Sequence, residues 1–149
     1  WILFWGLWFS TSAILAASFY PQRLNDPKAA YVSPSGGDDT AAIQNAVNQV
    51  QETTRQGIVF LAPGNYHVSD TIYVWPGIRV IGYGAERPKI ILPTHTPGFG
   101  DASHEKQIFF FAGRRPRNRN APVPDANPGT FYSALANIDV EIENGNPGA

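Results

Sequence analysis

"GIVFLAPGNYHVSDTIYVWPGIRVIGYG", residues 57–84, decides the fold class. It is a chain of short apolar, β-rich runs: IVFL at 58–61, YHVS at 66–69, TIYV at 71–74 and IRVIG at 78–82, with KIIL following at 89–92. The separators APGN, WPG and GYGAERP put proline or glycine at the corners, as turn chemistry requires. Ile58 to Ile78 is twenty residues and Val68 to Ile90 is twenty-two. A period near twenty with two or three short strands in each is the pattern of a stacked β-coil. A sandwich is the alternative architecture. The solenoid is favoured because the runs are so short and the turns are not two-residue hairpins.

Upstream, "GDDTAAIQ" at 37–44 opens a helix. Ile43, Ala46, Val47 and Val50 fall at i, i+3, i+4 and i+7, an apolar stripe along one face. Side chains of adjacent residues point in different directions, so Asp38 and Asp39 are poorly placed to share a substrate oxygen. Either can instead accept hydrogen bonds from the free N–H groups of the first turn. Gly57 is expected to stop the helix. The helix would then lie over the open edge of the first coil and shield it from edge-to-edge pairing.

Residues 1–18 carry no charge and are crowded with aromatic rings, and Ala16-Ala17-Ser18 offers a small-x-small cleavage pattern. They read as a secretion signal, with a membrane anchor as the alternative. Residues 19–36 read as a polar connector with one short strand near 30–33, and 37–149 as the coil domain. Eleven basic residues stand against twelve acidic ones, which argues against a nucleic-acid partner. With no cysteine, disulfides and thiol chemistry are excluded. The chain does not begin with methionine, and both ends read as cuts in a longer protein.

Downstream, QIFFFAG at 107–113 and NIDVEIE at 137–143 are expected strands, with a long polar stretch between them. Such insertions project from one face of a solenoid and often build its binding site. Within this one, GRRPRNRN at 113–120 sets Arg114, Arg115 and Arg117 as candidates for an anionic sugar, because guanidinium pairs bidentately with carboxylate. Trp75 is a candidate stacking platform for a sugar ring, as are Tyr73, Tyr83, Phe131 and Tyr132. Asp139 and Glu141 alternate with Val140 and Ile142. On a strand they would share a face roughly 6.5–7 Å apart, near the short end of the ~6.5–9.5 Å separation of inverting glycosidases. The competing reading of these acids, with Glu143, is a solvated strand face. His95, Asp101, His104 and Glu105 share a polar loop with no metal-ligand spacing, so no metal site is expected there. GYGAERP lacks the following helix of a phosphate loop.

The ordered set GDDTAAIQNAV, then Gly57, Val59, Leu61, Pro63, Gly64 and Tyr66, then Gly77, Ile78, Val80, Gly82 and Gly84, resembles the N-terminal part of the pectate-lyase-like superfamily. The likeness is to the branch with rhamnogalacturonase/epimerase-like proteins and family 55 glycoside hydrolases. Ahead of Asp38, YVSPSGG replaces the family's DFGAKGDG, so a short first strand is expected. The resemblance implies an all-β, right-handed, single-stranded parallel β-helix with an N-terminal capping α-helix. It also implies a secreted or periplasmic enzyme cleaving a pectin-like or β-glucan polysaccharide, with hydrolysis favoured over elimination and no cofactor. Calcium would enter only for a lyase. The family's catalytic residues lie in later coils, so the catalytic coils are expected beyond residue 149 and these residues alone are expected to be inactive. The full-length protein is expected to be monomeric and, once its signal is removed, free of the membrane. A non-catalytic carbohydrate-binding or structural β-helix, as in an adhesin or tail spike, is the alternative.

Overall fold

The structure, a computed structural model, describes residues 20–118, 120–126 and 131–149. The segment read as a signal or anchor, 1–18, lies outside the described residues. Nine short strands and one helix follow in the order β1 (Ala30–Val32), α1 (Thr40–Thr53), β2 (Gly57–Leu61), β3 (Asn65–His67), β4 (Ile72–Val74), β5 (Ile78–Gly82), β6 (Lys89–Leu92), β7 (Phe109–Phe111), β8 (Ala134–Ala136) and β9 (Asp139–Ile142). They form three sheets, ordered β1-β2-β5-β8, β3-β6-β9 and β4-β7, and every strand pair is parallel. Each sheet therefore takes one strand from each successive pass of the chain. This mostly-β, all-parallel arrangement with one short helix is consistent with a β-helix.

Columns of like residues follow from the register. Ala30, Val59, Val80 and Leu135 stand one above another through four passes, and Tyr66, Ile90 and Val140 do so in the second sheet. Val59, Val80, Tyr66 and Ile90 are fully buried in the core, with Ile72, Val74, Leu92 and Phe99. The Tyr66 hydroxyl lies 2.9 Å from the carbonyl oxygens of Val32 and Ala62, and burial pushes its phenol well up from the ordinary value.

The register differs from the sequence expectation by one residue. Ile58 stands beside Arg79, not Ile78, so the first repeat is twenty-one residues. A one-residue slip would have turned Val80 outward and Arg79 into the core. The second sheet repeats at twenty-four, Asn65 beside Lys89. The first strand is short, as expected, and it lies within the stretch read as connector.

Helix α1 buries Ile43, Ala46, Val47 and Val50 against β1, β2, β4 and β5. Of the two aspartates expected to serve its first turn, Asp38 does so, while its C-terminus departs from expectation. Asp39 occupies the N-cap position but makes no capping bond; its buried Oδ1 accepts from the Ser35 N–H at 2.9 Å. Asp38 binds the first turn instead, taking the Thr40 N–H at 2.9 Å and the Thr40 hydroxyl at 2.6 Å. Gly57 does not stop the helix. That role falls to Arg55, in the left-handed region at φ 62°, whose N–H donates to the Val50 carbonyl. Gly57 opens β2, where a Cβ would sit 2.7 Å from Val50 Cγ1 and 3.3 Å from the Lys28 carbonyl, so close approach explains this glycine.

The expected strand at 137–143 is the shorter β9, and a further strand, β8, precedes it at 134–136. Asn137 at φ 56° breaks β8 from β9, and its side-chain amide donates to the Gly82 carbonyl of the preceding pass at 2.7 Å.

Candidate functional site

Side chains of α1 finish the edge of the stack. Strand β4 pairs with β7 on one side only, and Gln44 serves its other side: Oε1 accepts from the Tyr73 N–H at 2.7 Å, and Nε2 reaches the Tyr73 carbonyl at 3.2 Å. The amide thus supplies the acceptor and donor that a neighbouring strand would offer. Asn48, one turn on, accepts from Trp75 Nε1 at 2.7 Å and from Gln44 Nε2 at 3.2 Å. At the start of the helix, the Asp39 N–H donates to the His67 carbonyl at 2.8 Å and Thr40 Oγ1 accepts from the Ser69 N–H at 2.8 Å.

Against this edge lies a cleft of about 340 Å³, bounded by Asn45 and Asn48 of α1, Tyr73 and Trp75, and Arg115 and Val123 of the arginine-bearing loop. Its floor is aromatic. Tyr73 and Trp75 stack at 5.7 Å with ring planes 5° apart, and the Arg115 guanidinium stands 5.9 Å above the Trp75 ring. Arg115 is itself anchored to Glu52 of α1 at 2.7 Å. The volume sits at the lower end of the ~300–1,000 Å³ range of small-molecule sites, and the mix of aromatic floor and a few polar groups is usual for them.

Of the predicted binding residues, Trp75 and Arg115 meet in this cleft. Trp75 is no open platform, however: it is 6% exposed, with its indole N–H taken by Asn48 and one face covered by Tyr73. Arg114 and Arg117 point elsewhere and line, with Arg115, an adjoining hollow of about 450 Å³. Tyr83 packs edge-on against Phe60. Phe131 and Tyr132 are highly exposed on another face. The contribution of Gln44, Asn45 and Asn48 escaped the sequence reading, which saw them only as the polar face of an amphipathic helix. An unusual run of amides with no charge on that face was the available signal.

Asp139 and Glu141 lie on β9, away from the cleft lining. Each is engaged across the ladder, Asp139 by Arg87 at 3.3 Å and Glu141 by Lys89 at 2.8 Å. Glu143 accepts from the Thr94 N–H at 2.9 Å. The hydrogen bond and charge of Glu141 hold the Lys89 ammonium above its ordinary value. Among the described residues no group of three His, Cys, Asp or Glu side chains could hold a metal ion, and the β9 acids, each already partnered, do not fit calcium. The loop does gather Asp101, Ser103 and His104, but Ser103 Oγ and Asp101 Oδ2 both contact Nδ1 of His104, at 3.1 and 2.7 Å. A nucleophilic triad needs the serine and the acid on opposite ring nitrogens; this is a polar turn. The Ser103 and His104 hydrogen bonds hold the Asp101 carboxyl below its usual range.

Compared with known proteins, residues 35–149 match the model of a family described as rhamnogalacturonase A/epimerase, pectate lyase-like. No curated protein and no solved structure gives a significant match.

Proposed function

Because the chain belongs to the rhamnogalacturonase A/epimerase, pectate lyase-like family, we propose that it acts on a polysaccharide and holds a sugar residue of the polymer in the cleft between α1 and the arginine-bearing loop. The observation that carries this reading is the lining of the cleft. Amides from Asn45 and Asn48 and the Arg115 guanidinium line the cleft together with Tyr73 and Trp75. A sugar ring can present an apolar C–H face to the half-buried Tyr73 and hydroxyls to these donors and acceptors.

The activity we propose is degradation of a pectin-like or β-glucan polymer by hydrolysis, in which one carboxylic acid protonates the leaving oxygen and one carboxylate activates water. Elimination is the lesser alternative. We further propose that residues 1–18 direct secretion, that residues 19–36 lead into the β-helix of 37–149, that its coils wind right-handedly, and that the protein works as a monomer without nucleic-acid or membrane partners. Right-handed winding is the sense taken by nearly all connections between parallel strands of a sheet.

One observation favours a second reading, a glycan binder without catalysis. Asp139 and Glu141 each have a carboxylate oxygen held by a cation, and would have to leave Arg87 and Lys89 to act. Because the catalytic coils are expected beyond residue 149, incubating the full-length protein with polygalacturonan, rhamnogalacturonan and β-glucans separates the readings. New reducing ends without unsaturated sugars indicate hydrolysis, and unsaturated ends indicate elimination. Retention on the polymer without either product indicates the binder, and retention should then weaken in Arg115→Ala. If no polymer is bound or cut, the proposal is wrong.

A further inference from the structure

Trp75 lines the cleft beside α1, whereas the next two residues, Pro76 and Gly77, line a different surface. There, a hollow of about 460 Å³ is bounded by Arg55, Gln56, Pro76, Gly77, Phe131 and Tyr132. It adjoins a second of about 250 Å³ that shares Gln56, Gly77 and Tyr132 and adds Arg79. The groove runs along the stacking direction, because its parts come from equivalent turns of three passes, just before β2, β5 and β8. Gly57 N–H donates to the Gly77 carbonyl at 3.1 Å, and Gly77 N–H to the Phe131 carbonyl at 3.0 Å.

Three properties point to a role for this groove. Phe131 and Tyr132 are 69% and 79% exposed, the most exposed large apolar side chains among the described residues. Their backbone is nonetheless pinned, by the Gly77–Phe131 bond and by Ser133 Oγ, which donates to the Trp75 carbonyl at 3.2 Å. Tyr132 is also held in the left-handed region, at φ 61°, where side chains other than glycine are strained. Such strain concentrates at ligand-binding positions. Finally, the charge is one-sided. Arg55 and Arg79 are exposed, and the ion pairs found among the described residues engage Arg87, Lys89, His104, Lys106 and Arg115, leaving these two guanidiniums without an acidic partner. No Asp or Glu lines either hollow.

We propose that this groove is a second glycan site, distinct from the α1 cleft, that anchors a carboxylate-bearing sugar chain without cutting it. The Phe131 and Tyr132 rings stack on the apolar faces of successive sugars, and Arg55 and Arg79 pair with their carboxylates. Unpaired guanidiniums favour an anionic chain over a neutral one. The absence of any acid in the lining leaves no group to protonate a leaving oxygen, so the site holds polymer and does not cleave it.

Affinity electrophoresis of the 149-residue chain in gels containing polygalacturonate, fully methyl-esterified polygalacturonate or neutral galactan tests this. Polygalacturonate is expected to retard the protein in a salt-sensitive manner and the two uncharged polymers at least tenfold less. Arg79→Ala and Tyr132→Gly should each weaken the polygalacturonate effect by about tenfold. Glycine suits the left-handed backbone at 132, so that variant keeps its fold, as an unchanged thermal melt would verify. Equal retardation of wild type and both variants, equal retardation by the esterified polymer, or none by polygalacturonate would overturn the assignment. Loss confined to Arg115→Ala would also overturn it while leaving the α1 cleft as the binding site. The converse pattern would remove the cleft and keep the groove.

Discussion

Within these 149 residues, the edge of the coil stack under α1 and the edge formed by β8 and β9 differ in what lies over them. At one end α1 covers the passes, its Ile43 and Val47 fully buried, and Gln44 and Asn48 satisfy the edge of β4 and the Trp75 indole. At the other, β8 and β9 are the last strands of their sheets. Val140 and Ile142 continue the columns of Ile90 and Leu92, yet remain 47% and 49% exposed. Within these 149 residues, equivalent inward positions are covered under α1 and uncovered on β9. Burial here depends on what stacks above a residue more than on the alternation of its own strand. Stability should therefore be concentrated at the α1 end, and substitutions can test that gradient.

The largest effect is expected from Ile43→Ala, which deletes a fully buried side chain under α1. It should cost about 2–5 kcal/mol, read as a lower urea midpoint at unchanged slope. Gln44→Ala leaves the Tyr73 N–H and carbonyl without the partners they have in the native edge. A loss of about 1–3 kcal/mol is expected, with faster amide exchange at Tyr73 as the local signature. A loss below the size of a surface substitution would show that the edge needs no amide.

Acid should weaken the α1 end as well as the loop that carries Asp101. Partial burial opposes the charge of Asp38, but hydrogen bonds from Ser69 and Thr40 outweigh it and hold the carboxyl below its ordinary value. Burial likewise opposes the charge of Asp70, and Lys106 and the Thr71 N–H outweigh it. A depressed carboxyl contributes stability above its unfolded value, about 3.9 for aspartate, and loses it as pH falls through the lower folded value. Asp38→Asn should therefore flatten the stability–pH curve below about pH 4, measured by denaturant midpoints. An unchanged acid limb would assign the sensitivity elsewhere. The smallest effect is expected at the opposite edge: Val140→Thr should shift stability by no more than about 0.5 kcal/mol. A loss as large as that of Ile43→Ala would mean the gradient does not exist.

Sequence reading captured what is local. Strands β2, β5 and β6 and the apolar stripe of α1 were legible because alternation and 3.6-residue periodicity are written directly in neighbouring residues. It failed where the deciding contact is distant. Aligning Ile58 with Ile78 is natural by eye, but Val59 must meet Val80, which only the core column decides. Strand β8 was hidden because ALA at 134–136 carries little β signal, and Asn137 breaks the run by bonding to Gly82 a full pass earlier. Of the candidate site, Trp75 and Arg115 were each singled out by residue type, but that they share one cleft was not legible in the sequence. The engagement of Trp75 by Asn48, and of Glu141 by Lys89, joins residues 27 and 52 positions apart, which no window of sequence brings together.

Gln44 has one more consequence. Stacked repeats order by nearest-neighbour contact, and a chain under synthesis emerges from its N-terminal side first. An amide that already presents a strand's acceptor and donor to Tyr73 gives the first complete turn a template before any later turn has been made. Gln44 thus ties the register of β4 to the helix that precedes it in the chain, so a substitution there should loosen the earliest-made turn first.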